Sequence, residues 1–384
     1  MSTLKVDAIR HNSATSDAIT TAADGTCTAK LTSIGGGGLS HRNISTNGAC
    51  LIAQRGTSST TYGYGSVDRF ATYYYGHNEA PTHSQVDVAS GTTPYSLGFR
   101  KALRVTNGNQ TGGAGAAQFM QIQHKFEAQD IANSGWNYTS ASSFITVQFW
   151  VKASVAQTYY IYLRSYDGTQ QRYYFPISLS ANTWTKVTKT IPGNSNLQFD
   201  NDENQGFHIN WGIWYGTDYT ASGLSAETWA AYASGTRVPD MTSTWWTTND
   251  ATFEITGVQL EVGDTATTFE HRSFADELTR CSRYCQVWGR GYCIANAVGS
   301  SDLNIGVPLT TPLRATPSAT SVLGMHRSGN KNASCTFHSA QYTANTNIVE
   351  IRMGNWTGGS AVTDEVEYAV TPVSPQTMII DAEI

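Results

Sequence analysis

The chain has 384 residues, of which 14% are charged, a formal net charge of −5, and no run of Lys or Arg longer than two; it lacks the basic footprint that a phosphate backbone demands, so nucleic acid is not an expected partner. No apolar stretch approaches the ~18 residues of a membrane helix, and the opening MSTLKVDAIRHNSA has no apolar h-region, so the expectation is a chain made in a cytosol without membrane insertion. Aromatic residues at 11% and 35 Gly favour sheets joined by many turns, making all-β the expected class.

Residues 1–38 form the first expected unit. The isolated apolar residues Leu4, Val6, Ile9 and Ile19 cannot close a core and must pack on something else, and Gly35 to Gly38 mark a linker. Residues 39–272 read as one large sandwich, with β-type runs at 144–151, 159–164, 173–177, 184–191, 207–214 and 253–261. The imperfect alternation over 184–191 predicts a bulge, and the Thr-, Ser- and Gly-rich stretch 215–250 predicts a long excursion with a functional or interfacial role.

Residues 273–286 predict a linking helix, opened by Ser273 and Asp276 in a capping-box arrangement. Phe274, Leu278, Cys281 and Cys285 share one face, suited either to docking on the sandwich or to a short coiled-coil seam. Residues 287–384 return to strands and predict a small C-terminal β-sandwich whose last strand ties the C-terminus into a sheet. Six cysteines in a chain this large read as free thiols, and Cys281, Cys285 and Cys293 lack a fourth ligand, so neither metal nor cofactor is expected.

Certain segments resemble a known family. Asn47-Gly48, Gln54-Arg55-Gly56-Thr57 and Val67-Asp68-Arg69-Phe70 resemble the "NGxxxxxQRGT…ADRW" opening of sandwich domains in tail-fibre and tail-tip proteins of tailed bacteriophages. Residues 254–284, EITGVQLEVGDTATTFEHRSFADELTRCSRY, are similar to the "TGVQLEVGxxATPFEHRSYxEELxLCQRY" segment that closes the same domain, with Phe70 for Trp, Thr268 for Pro and Ser282 for Gln as departures. The opening STLKVDAI resembles a virion-attachment start, and residues 307–317 resemble a run of the C-terminal domain. The resemblance implies a virion component made in the host cytoplasm, a homotrimer joined to other virion proteins through its N-terminus, with a jelly-roll domain similar to carbohydrate-binding modules.

Sugar rings present flat C–H faces that stack on aromatic side chains while amide and charged groups read the hydroxyls. Tyr74, Tyr174, Trp211, Trp214, Trp229, Trp245 and Trp246 are the candidates, because adjacent aromatic residues in a strand face opposite sides; core packing or a trimer interface is the competing reading for each. Asp200 and Asp202 approximate the start of a calcium loop, but the Gly comes one place late and Trp211 stands where Glu is needed, so a solvated loop is expected. No carboxylate pair is selected, either Glu254 with Glu261 or Asp167 with Asp202, and His271 reads as a turn-fixing residue. The expectation is therefore a non-enzymatic tail-fibre-like adhesin that binds host-surface glycans. A non-adhesive structural virion protein and a surface-polysaccharide hydrolase stand as alternatives.

Overall fold

Strand alternation sorts the side chains of this chain into inner and outer sets, and the architecture follows from that sorting. The computed structural model describes residues 6–10, 12–13, 15–25, 27–29, 42–288, 293–298, 302–320, 322–326, 332–343, 346–357, 367–372 and 378–384. Ala8–Ile9 (β1), Ile19–Thr21 (β2) and Cys27–Ala29 (β3) form an antiparallel three-stranded sheet in sequence order. Val6 and Ile9 are exposed and Ile19 is half-buried, while Leu4 and the glycine run lie outside the described residues.

The sandwich is built from Ser58–Ser59 (β4), Phe70–Tyr75 (β5), Thr82–Asp87 (β6), Lys101–Thr106 (β7), Phe119–Glu127 (β8), Phe144–Ala153 (β9), Gln157–Ser165 (β10), Gln171–Leu179 (β11), Thr185–Pro192 (β12), Gln205–Tyr215 (β13), Ala230–Ala231 (β14) and Thr252–Val262 (β15). Two six-stranded antiparallel sheets, ordered β14-β11-β10-β13-β8-β5 and β12-β9-β15-β7-β6-β4, pack as a jelly-roll β-sandwich. Tyr159, Ile161 and Leu163 of β10, with Phe207, Ile209 and Trp211 of β13, point into the core and meet Val147, Phe149 and Val151 of β9. Phe149 meets the Trp211 ring edge-on at 5.5 Å, an arrangement that adds to the area these rings bury. The bulge expected in β12 is absent, its pairing with β9 running unbroken from Thr185 to Pro192. Bulges occur instead in β13 after Gly212 and in β15 at Gly257, whose φ of +65° suits glycine.

The linking helix spans Phe274–Ser282, with Ser273 Oγ accepting from the Asp276 backbone N–H at 3.1 Å. It docks on its own chain through buried Glu277 and Cys281, and Phe274 is left 62% exposed. Beyond it run Cys285–Trp288 (β16), Cys293–Val298 (β17), Asp302–Pro308 (β18), Ser318–Thr320 (β19), Val322–His326 (β20), Asn332–Tyr342 (β21), Ile348–Thr357 (β22), Glu367–Pro372 (β23) and Met378–Asp381 (β24). The small C-terminal sandwich expected from these runs is a closed barrel, β17-β18-β22-β21-β20-β23, because β23 pairs with both β17 and β20. Strand alternation is the same in both architectures and does not say whether the ends of a sheet meet. The remaining strands form a sheet β16-β24-β19, which secures the C-terminus as expected.

A buried ionic junction joins sandwich, helix and C-terminus. Arg69, in the left-handed region at φ 70°, ion-pairs with Glu383, donates to Lys125 O at 2.7 Å and lies 3.3 Å from the Tyr284 ring centroid. Arg55 holds Asp381 at 2.9 Å and Glu383 at 3.3 Å. Gln54 reaches both Asp68 and Cys285 O at 2.7 Å, and Arg283 pairs with Glu127 at 2.8 Å. Asn47 accepts the left-handed conformation at φ 59° and ties Ile52 to Asp68 O. Gly48 is required beside it, since a Cβ there would collide with the Val258 carbonyl.

Removing one partner of such a network strands a buried charge. Arg69→Ala is expected to cost roughly 3–5 kcal/mol, read as a lowered denaturant midpoint. His124 gives a pH test: it is fully buried on Phe70, and burial, reinforced by the Arg69 charge, holds its pKa down at about 3. The unfolded chain takes up that proton first, so this site lowers stability by about 2 kcal/mol between pH 6.5 and 5. Asp68, pushed up to about 6 by burial, acts in the opposite sense. His124→Gln is therefore expected to reduce the loss of Tm between pH 7 and 5; an unchanged slope would refute the assignment.

Candidate functional site

The residues that alternate with the core set on β10, β13 and β8 build a polar outer face on the first sheet. Across the strands, Arg172, Arg164, His208 and Lys125 form one row, and Tyr174, Tyr162, Asn210 and Gln123 the next. Gly212 and Gln121 continue to Tyr73 on β5 in a third. The excursion after β13 folds over part of this face, its Tyr219, Leu224, Tyr232 and Val238 packing with Tyr162, Tyr174 and Tyr215. The excursion thus buries tyrosines of its own sheet.

Beside the excursion the face has aromatic rims, and the amide and imidazole groups between them form a buried polar floor. Tyr62, 57% exposed, packs on Tyr73 with ring centroids 4.9 Å apart. Across the face, Tyr166 and Tyr232 both lie against Arg164, whose guanidinium carbon is 4.4 and 3.5 Å from their ring centroids. Arg237 stacks on Tyr219 at 4.4 Å and pulls the pKa of Tyr62 down against the larger rise from burial, so the two walls are within electrostatic reach. On the floor, the Tyr215 hydroxyl lies 2.6 Å from Gln121 Oε1 and 2.7 Å from Asn210 Oδ1. Lys125 Nζ donates to Tyr73 Oη at 2.9 Å and to Ile384 O at 2.7 Å, and burial lowers its pKa to about 8. Gln205 Nε2 and Tyr166 Oη both lie 3.2 Å from His208 Nδ1. Burial first, then the charges of Arg164, Lys125 and Arg237, hold His208 well below its ordinary pKa.

The aromatic residues singled out from the sequence lie elsewhere. Trp211, Trp214, Trp229, Trp245 and Trp246 all belong to the sandwich core, and Trp229, Trp245 and Trp246 spend their indole N–H groups on Pro192 O, Thr252 O and Gly113 O. Two six-stranded sheets have interior enough for all five, which closes them to a sugar ring. Tyr174 is on the outer face but sealed beneath the excursion, donating to Leu224 O at 2.7 Å. Tyr74 packs against the core edge and donates to Thr60 O, while its neighbours Tyr73 and Tyr75 face the other way. Of the residues on this face, Tyr73 belongs to an aromatic cluster visible in the sequence, whereas Gln121, Gln123, Lys125, Arg164, His208 and Asn210 carry no aromatic signal. The signal was the polar half of the alternation, as in Phe207-His208-Ile209-Asn210-Trp211.

Asp200 and Asp202 cap their own loop: Asp200 accepts from Gln198 Nε2 and Asp202 from the Asn204 N–H, each at 3.0 Å. Among the described residues no group of three His, Cys, Asp or Glu side chains is placed to hold a metal ion. Glu254 is bound by Arg104 at 2.8 Å and Lys152 at 2.9 Å, and Glu261 accepts from the Thr267 N–H at 2.9 Å. His271 donates to Leu97 O at 2.9 Å beside Phe99 and Phe269. These last rings, with Trp150, line a cavity of about 300 Å³ on the outer face of the second sheet. Its Gln148 is already committed to Thr267 O at 2.6 Å.

No protein-family profile and no curated protein matches the chain. Among solved structures it is similar to the enzymatically active domain of bacteriophage CBA120 tailspike protein 4, at 9% identity and a TM-score of 0.32 over 61% of this chain and 24% of that one. The chain thus spans about a quarter of the tailspike structure it matches. A family 11 carbohydrate-binding module of a Clostridium thermocellum cellulosomal cellulase aligns at 10% identity and a TM-score of 0.26, over 56% of this chain and 98% of the module. A cyclase from Fischerella aligns at 8% identity and a TM-score of 0.29, over 52% and 87%. Likenesses this distant assign neither family nor ligand, so the function is argued from the residues of the face.

Proposed function

We propose that this chain is a glycan-binding adhesin of a tailed-phage particle, reading host-surface sugars on the outer face of the first sheet. The observation that carries the binding role is the arrangement of the exposed Tyr62 and half-buried Tyr73 opposite Tyr166 and Tyr232, above a buried polar layer of Gln121, Gln123, His208 and Asn210 that a ligand reaches when the excursion shifts. Aromatic rims offer stacking surfaces for C–H faces, and the amides between them offer the directional bonds that distinguish hydroxyls. The residues named on this face include no pair of carboxylates, which hydrolysis of a glycosidic bond would use, so the proposed role is binding alone. The virion setting rests on the segment resemblances, and the exposed Val6 and Ile9 are apolar groups that another virion subunit could cover. Display of three linked copies would raise avidity by ~10²–10⁴ over a single weak site.

A non-adhesive structural role has one observation in its favour. Asn47, Gln54, Arg55, Asp68, Arg69, Glu277 and Tyr284, which carry the resemblance, all serve the junction rather than the face. A glycan array with the full chain separates the two readings. Tyr62→Ala and Tyr73→Ala are each expected to weaken the best array ligand five- to tenfold, about 1–1.4 kcal/mol, at unchanged Tm. Absence of any bound glycan would support the structural reading. Deleting residues 1–34 is expected to leave a folded, soluble protein of trimeric mass that no longer joins particles; loss of folding would sink the tether assignment.

A further inference from the structure

We infer that the glycan recognised on this face is anionic, carrying carboxylate, sulfate or phosphate groups. The inference rests on the proposed glycan reading and on two features of the face.

The first is the distribution of charge. Arg55, Arg69, Arg104, Arg272 and Arg283 each hold a carboxylate of their own chain. Arg164, Arg172 and Arg237, all on or above the face, take part in none of the ion pairs among the described residues. They are held instead by neutral groups: Arg164 by Gln170 Oε1, Arg172 by Arg237 O and Arg237 by Ser234 Oγ. All three lie over tyrosine rings, Arg164 on Tyr232 at 3.5 Å, Arg172 on Tyr174 at 4.8 Å and Arg237 on Tyr219 at 4.4 Å, which orients a guanidinium without neutralising it. Arg100 and Arg314 are likewise held by backbone carbonyls elsewhere, singly, whereas this face of a chain of net charge −5 brings three such guanidiniums together.

The second feature is the kind of polar atom left without a partner there. His208 Nε2, Asn210 Nδ2, Arg172 Nε and Arg237 Nε are buried and make no hydrogen bond within the chain. His208 and Asn210 are themselves fully buried. Of the four atoms, Arg172 Nε and Arg237 Nε can only donate. A sugar hydroxyl both gives and accepts, whereas a carboxylate or sulfate only accepts, and buried donors without acceptors are costly. Arginine donors without an ion pair therefore match an acceptor-only group. Engagement of the floor requires the excursion carrying Tyr232 and Arg237 to shift, since these four atoms are sealed in the unliganded chain.

Affinity electrophoresis of the full chain tests this with two matched pairs of polymers, polygalacturonate against its carboxyl-reduced form and dextran sulfate against dextran. Retardation by at least one anionic member is expected, with at least tenfold weaker retardation by its neutral partner; which pair responds distinguishes carboxylate from sulfate recognition. Arg164→Gln and Arg237→Gln are each expected to lose at least tenfold in affinity at unchanged Tm, while Lys186→Gln, on the exposed outer face of β12, loses none. Equal retardation by the neutral partner, or an equal loss in Lys186→Gln, would overturn the anionic inference while leaving glycan binding standing. If none of these polymers is retarded, the anionic inference also fails, and a glycan array then decides the broader reading by itself. The native-protein comparison needs no variant to fold.

Discussion

The sandwich, the end of the linking helix and the last residues of the chain meet at one buried contact, the Arg69–Glu383 ion pair. Arg69 enters from the segment leading into β5, in a left-handed backbone conformation that a bulky residue adopts only when its surroundings demand it. Glu383 enters from the last residues of the chain, and the ring of Tyr284, just beyond the linking helix, closes the third side. Three segments far apart in the sequence thus meet at one guanidinium. The charges are withdrawn from water, so the contact is worth little against an apolar replacement but a great deal against its own disruption, which makes it a device for fixing geometry.

The junction explains why the most recognisable parts of the sequence say least about binding. Side chains such as Gln54, Asp68 and Arg283 are polar and grouped in dense motifs, the usual look of a functional site, yet their hydrogen bonds go to Cys285 O, to Gln54 and to Glu127. The outer face has no motif at all. Its residues are spread two apart along β8, β10 and β13, and pairing of strands distant in sequence brings them into rows.

That difference measures how much could be read in advance. The all-β class, the six strong strands of the sandwich, the capped helix and the secured C-terminus follow from local patterns, because period-two alternation and a Ser273–Asp276 cap are properties of neighbouring residues. Closure of the C-terminal barrel depends on β23 finding both β17 and β20, which no local pattern encodes. The tryptophans misled for a related reason. Their number suggested a surplus, but the capacity of the interior depends on how many strands join each sheet, a quantity known only once Trp211, Trp245 and Trp246 are seen fully enclosed.

The sandwich margins carry a further implication. In the first sheet, β14 is two residues long and β5 is fastened along its outer side by the Gly63–Thr72 bridge. In the second, β4 is again two residues and β12 presents Lys186 and Lys189. Backbone groups that could recruit a strand from a neighbouring molecule are thereby shortened, occupied or charged. Edge-to-edge pairing between copies of this domain is thereby disfavoured.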